Sequence, residues 1–151
     1  MKKAILAYLS LVLLTCVLRA EPFVGSTEAQ ARARYGEPVK QDVGPASEKV
    51  LTFEKNGIYI MSFFMGGRVM QVAYVRKDKR PFVTEEAEAL VLGNAARWTR
   101  MPDAGTNQYW QTPNGTMMAI NDIGPDGMLT IITRELLNAR GRVAAGALKN
   151  F

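Results

Sequence analysis

The chain has no histidine and one cysteine, Cys16. Histidine bases, Ser-His-Asp triads, clustered Cys/His metal ligands and intrachain disulfides are therefore excluded. One-signed charge is also scarce. Lysine and arginine number 19 against 14 acids, and Lys2, Lys3 and Arg19 supply three of the formal +5 charges from the first residues. The rest is nearly balanced, which argues against nucleic acid, whose binding rests on many phosphate contacts. The run Arg76-Lys77-Asp78-Lys79-Arg80 reads as a solvated connector.

Carboxylates are the only acid–base resource left. Glu85, Glu86 and Glu88 cluster, but they fall in the first turns of an expected helix, where they complement its dipole. Neither a nucleophile nor a glycine-rich phosphate loop accompanies them. Asn121-Asp122 and Asp126-Gly127 crowd oxygen ligands without the alternation or distant glutamate of a calcium loop, so they read as a turn. No cofactor, metal or catalytic residue is expected.

What is present begins with an export signal. Lys2-Lys3, an apolar run from Ala4 to Leu18, and Leu18-Arg19-Ala20 have the three-part layout of a secretory leader. The run falls short of the roughly 20 apolar residues of a spanning helix, so the mature chain has no stable membrane span. Cleavage is expected after Ala20. Lipidation at Cys16 is the weaker alternative, because Thr15 stands where such sites take Gly, Ala or Ser. The mature protein, of about 130 residues, can close one core by packing alone and is expected in the periplasm or the secreted fraction.

That chain reads as two copies of one unit. Thr27 and Thr84, Gly36 and Gly93, Asn56-Gly57 and Asn114-Gly115, and Gly67 and Gly127 are related by a shift of about 57 to 60 residues. In the first copy (25–78), Thr27 and Gln30 form a capping-box pattern, Ala31 and Tyr35 share a face, and Gly36 and Pro38 end the helix. A loop from Gln41 to Ser47 precedes strands Lys49–Lys55, Ile58–Met65 and Arg68–Arg76, turned at Asn56-Gly57 and Gly66-Gly67. In the second copy (83–134), a helix opens at Thr84, with Glu85 and Glu86 in its first turn, and is ended by Gly93-Asn94. Strands are predicted over Trp98–Met101, Gln108–Thr112, Thr116–Asp122 and Met128–Arg134. Glu135 to Phe151 reads as a loose helix or frayed tail, weakened by Gly141 and Gly146. The expected fold is α+β: one antiparallel sheet from a duplicated helix-plus-meander unit, with helices on one face.

Gly25-Ser-Thr27, Ala31, Tyr35-Gly36 and Pro38, followed by Leu51-Thr-Phe-Glu-Lys-Asn-Gly, Ile60-Met-Ser-Phe-Phe and Gly67-Arg-Val, resemble the SmpA/OmlA outer-membrane assembly lipoproteins. More broadly they resemble the β-lactamase-inhibitor-protein fold. The likeness covers about a third of the chain, from Val24 to Tyr74. It implies a helix followed by an antiparallel meander in an exported protein. No functional residue transfers, since the lipidation cysteine of the one family and the disulfides of the other are missing.

Tyr59, Met61, Phe63 and Met65 alternate with Ile58, Ile60, Ser62 and Phe64, so both faces of one strand are apolar. A half-buried strand needs only one such face. Either the C-terminal segment or sheet curvature buries the second face, or a partner or second copy covers it. Trp98, Tyr109 and Trp110 form an aromatic group suited to binding or to core packing. Tyr59, Met61, Phe63, Met65, Trp98 and Trp110 are the candidate binding residues. The expected function is a noncatalytic protein-interaction module with an unknown protein partner or as a homodimer; an inhibitor of an exported hydrolase is the alternative, and a carboxylate-only enzyme a further one.

Overall fold

The computed structural model describes residues 23–95, 97–125 and 127–148, with side chains to residue 143 outside the gaps. The expected leader, its cleavage after Ala20 and the alternative at Cys16 lie outside the described residues.

Helix α1 (Glu28–Tyr35) starts as its sequence dictates. Gln30 N–H donates to Thr27 Oγ1 at 3.3 Å, and Thr27 N–H donates to Gln30 Oε1 at 2.8 Å, so each residue satisfies an orphan donor of the other. Gly36 ends it at φ 87°, ψ −160°, a conformation open essentially to glycine, with its N–H on the Arg32 carbonyl. The next three strands are those the alternation marks: β2 (Lys49–Lys55), β3 (Ile58–Met65) and β4 (Arg68–Arg76). Both connecting turns, Asn56-Gly57 and Gly66-Gly67, hold two successive positive φ angles, matching strand twist as tight hairpins require. Ahead of them, β1 (Lys40–Val43) occupies part of the expected loop. All four of its residues are exposed, so it carries no burial pattern and takes its conformation from pairing with β2.

Helix α2 (Thr84–Leu92) opens at Thr84 and is closed at Gly93, as expected. Its N-cap is Val83, whose N–H donates to the Glu86 carboxylate at 3.2 Å, while the Thr84 hydroxyl instead accepts from Gln108 Nε2 at 2.9 Å. Gly93 sits at φ −67°, ordinary helical backbone. Asn94 does the joining: its amide donates to the Leu90 carbonyl (2.8 Å) and the Tyr74 hydroxyl (3.3 Å), and its oxygen accepts from Val24 N–H. Strands β5 (Thr99–Ala104), β6 (Asn107–Gln111), β7 (Met117–Asp122) and β8 (Met128–Thr133) follow.

The eight strands make one antiparallel sheet in the order β1-β2-β3-β4-β8-β7-β6-β5. Two consecutive meanders thus meet at β4 and β8, and each is preceded by a helix. The main core lies between the sheet and α1 and α2, where Leu51, Phe53, Ile60, Phe64, Val72, Leu129 and Ile131 meet Phe23, Ala31, Ala87 and Val91.

Helix α3 (Arg134–Leu148) is the largest departure from expectation. It is regular, and it packs on the other side of the sheet. Leu136 is fully buried, and the Arg140 guanidinium lies 4.9 Å from the Phe63 ring, on the face opposite Ile60 and Phe64. Helices therefore occupy both faces among the described residues. The two glycines in α3 lower its intrinsic helicity, but a buried leucine and a tethered arginine offset that loss.

Candidate functional site

Strand β3 directs Ile60, Ser62 and Phe64 into the main core and leaves Tyr59, Met61, Phe63 and Met65 half-buried on the second face. Register carries these residues across the sheet. Met61 stands opposite Ala73, then Thr130, Ile120, Tyr109 and Met101 on successive strands, so one row across six strands is apolar but for a single threonine. The neighbouring row runs from Phe63 through Gln71 and Ile132 to Met118. Gln71 and Ile132 are buried and Phe63 lies against Arg140 of α3. In the Met61 row Ala73 is buried, Met61, Thr130, Ile120 and Tyr109 are half-buried, and Met101 is exposed, so this row is more open than its neighbour.

The covered end of this face is held by charge. Arg140 Nε donates to Glu48 Oε1 and Arg140 Nη1 to Gln71 Oε1, both at 2.6 Å. Glu48 Oε2 accepts from Ala46 N–H at 2.7 Å. Burial by itself raises the Glu48 carboxyl, but its own N–H, Arg140 and the Ala46 N–H together outweigh that and hold it below its ordinary value. At the open end, Lys77 bridges Glu54 at 2.7 Å and lies 5.5 Å from the centre of the Tyr59 ring. Glu48, Gln71 and Arg140 were not recognisable in the sequence, because the interacting positions are far apart along the chain.

Trp98 and Trp110 belong elsewhere. Trp110 is buried in the main core, on the face opposite Tyr59, Met61, Phe63 and Met65, and Trp98 packs beside it. The six candidate residues therefore divide between two faces. A cleft of about 210 Å³ is lined by both tryptophans with Glu88, Val91, Leu92 and Arg100. The Arg100 guanidinium covers the Trp110 ring at 4.6 Å and pairs with Asp103 at 2.6 Å and Glu88 at 3.9 Å.

Three of the acidic groups noted in the sequence have structural partners. Glu86 caps α2 and pairs with Arg76, and Glu88 faces Arg100. Asp122 Oδ1 accepts from Gly124 N–H at 2.8 Å, which makes this segment the turn it resembles. Asn121 is buried, its amide donating to Phe82 O and Gln108 Oε1.

No family model and no curated protein sequence matches the chain. Solved structures similar to it include the following two. One is an extracellular protein containing a SCP domain from Bacillus anthracis, at 11% identity and a TM-score of 0.48, over 78% of this chain and 46% of that one. The other is a cysteine-rich secretory protein from Staphylococcus aureus, at 10% identity and a TM-score of 0.46, over 76% and 46%. The chain spans about half the length of each.

These findings correct the resemblance to the SmpA/OmlA and β-lactamase-inhibitor-protein families, since no family model matches and the similar structures are an SCP-domain protein and a cysteine-rich secretory protein. The residues behind that resemblance have a local cause. Thr27 and Gln30 cap the start of α1 and Gly36 its end, which is helix chemistry that unrelated chains share.

Proposed function

We propose that the protein is an exported, noncatalytic interaction module that seats an apolar helix of a partner protein on the open part of the sheet face beside α3. The row from Met61 to Met101 carries this reading. Six strands at about 4.8 Å spacing give roughly 24 Å of apolar surface, the length of a helix of about four turns. The same face already accepts α3 on its adjoining row, so a helix is an occupant that its shape suits. Export rests on the Lys2-Lys3 and Ala4–Leu18 pattern. No helix among the described residues is long and apolar enough to cross a membrane. The recurrence of a helix and four strands in each half supports an origin by duplication of units 25–78 and 83–134, with α3 added as a cover.

The test is affinity capture from the protein's own cell-envelope extract with the unaltered protein, Met61→Asp and Tyr109→Asp, followed by reconstitution with the purified partner. The reading predicts a protein retained by the unaltered bait and lost from both variants, whose circular-dichroism spectra are unchanged. Equal retention by all three baits would overturn it.

A further inference from the structure

The two edges of the sheet are built differently. Strand β5 carries Pro102 and an irregular register between Met101 and Ala104, both devices that stop an edge from recruiting another strand. Strand β1 has neither. Its four residues are Lys40, Gln41, Asp42 and Val43, all exposed, with Val39 and Val43 at 60% and 78% of full exposure.

The register of β1 on β2 decides which backbone groups are free. Gly44 stands opposite Glu48 and donates its N–H to the Glu48 carbonyl at 2.8 Å. In an antiparallel ladder such bonded positions alternate, so Asp42, like Gly44, turns its backbone groups toward β2 and Gln41 and Val43 turn theirs outward. Lys40 and Asp42 share one face of the strand, with Lys40 Nζ 2.8 Å from Asp42 Oδ2.

From this we infer that β1 pairs antiparallel with β1 of a second copy about a two-fold axis through Gln41, joining two sheets into one. In that register Gln41 meets the partner's Gln41 in a reciprocal pair of N–H···O bonds. Lys40 stands opposite the partner's Asp42, and Asp42 opposite the partner's Lys40. These are non-hydrogen-bonded positions, where cross-strand side chains approach most closely. Val43 lies beside the partner's Val39 and covers it by side-chain contact alone, because the Val39 N–H is already held by the Thr52 carbonyl at 2.8 Å and the backbone pairing is centred on Gln41. One strand therefore supplies both halves of a self-complementary interface, as a closed two-fold contact requires. Moving the register by one residue would place Lys40 or Asp42 against a neutral residue and remove that match. This surface is separate from the Met61 row, and neither proposal depends on the other.

Sedimentation velocity of the purified protein from about 1 μM to 1 mM tests the pairing. The expected result is a concentration-dependent dimer. Lys40→Asp alone and Asp42→Lys alone each weaken it about tenfold or more, because like charges then face one another twice per dimer. An equimolar mixture of these two single variants, and the double variant carrying both, recover the association. Gln41→Pro, which removes an outward N–H that β2 does not use, also weakens it. Circular dichroism confirms folding of every variant, and Met61→Asp leaves the dimer intact. A monomer at every concentration, or a dimer that the charge reversals do not change, would overturn the inference. So would a mixture that associates no better than its components.

Discussion

Arg140 and Glu48, 92 residues apart, are joined at 2.6 Å on the second face of the sheet, where the Glu48 side chain has no exposed surface. One carboxylate therefore does two things. It anchors α3, and through the Ala46 N–H it closes the turn between β1 and β2. Removing one partner of such a pair leaves a buried charge without compensation, which typically costs about 3 to 5 kcal/mol. Arg140→Met should destabilise the protein on that scale, while the double variant Glu48→Gln, Arg140→Met should recover part of the loss. Urea denaturation of the single and double variants measures the coupling.

The same pair sets a pH dependence. The Glu48 carboxyl is lowered in the folded protein from its ordinary 4.5, so below that pH the unfolded chain binds the proton more readily. The stability this group contributes is complete above 4.5 and is lost as pH falls through the folded value. Denaturation midpoints of the unaltered protein should therefore drop more steeply on acidification than those of Glu48→Gln. Parallel acid limbs for the two proteins would contradict this.

Gly127 looks like a turn glycine in the sequence, yet the structure gives it another reason to be glycine. A Cβ there would lie 2.3 Å from Pro81 Cα, a backbone atom that cannot swing aside. Gly127→Ala should cost about 1 to 3 kcal/mol by overpacking. Gly141, inside α3, meets nothing within 4 Å, so Gly141→Ala should stabilise by about 0.5 to 1 kcal/mol. Thermal melts of the two variants should move in opposite directions.

Local chemistry made the first meander readable. Two-residue alternation and the Asn56-Gly57 and Gly66-Gly67 turns mark β2, β3 and β4 without tertiary information. Strand β1 escaped because an exposed four-residue edge has no apolar period, and its conformation comes from its neighbour. Helix α2 runs between Thr84 and Gly93 as the sequence reads, but the partners at its start, Glu86 for the Val83 N–H and Gln108 for the Thr84 hydroxyl, come only with the fold. The binding set was only partly legible. Alternation places Tyr59, Met61, Phe63 and Met65 together, but nothing local reveals that Trp110 points to the other side of the sheet.

The position of α3 changes how the apolar face must be probed. Phe63 stands beside Arg140, and its row is buried at Gln71 and Ile132, so a charge at Phe63 disturbs the seat of the helix. Met61 lies one row away and is half-buried. Phe63→Asp should therefore lower the denaturation midpoint while Met61→Asp leaves it nearly unchanged. For partner binding the order reverses in cleanliness: Met61→Asp should abolish association in a fully folded protein, since a carboxylate in a desolvated contact lacks any pairing group. Isothermal titration with the reconstituted partner, alongside urea melts of both variants, separates the two roles. Loss of folding in Met61→Asp, with binding retained in whatever fraction remains folded, would assign Met61 to packing and remove the Met61 row from the docking surface.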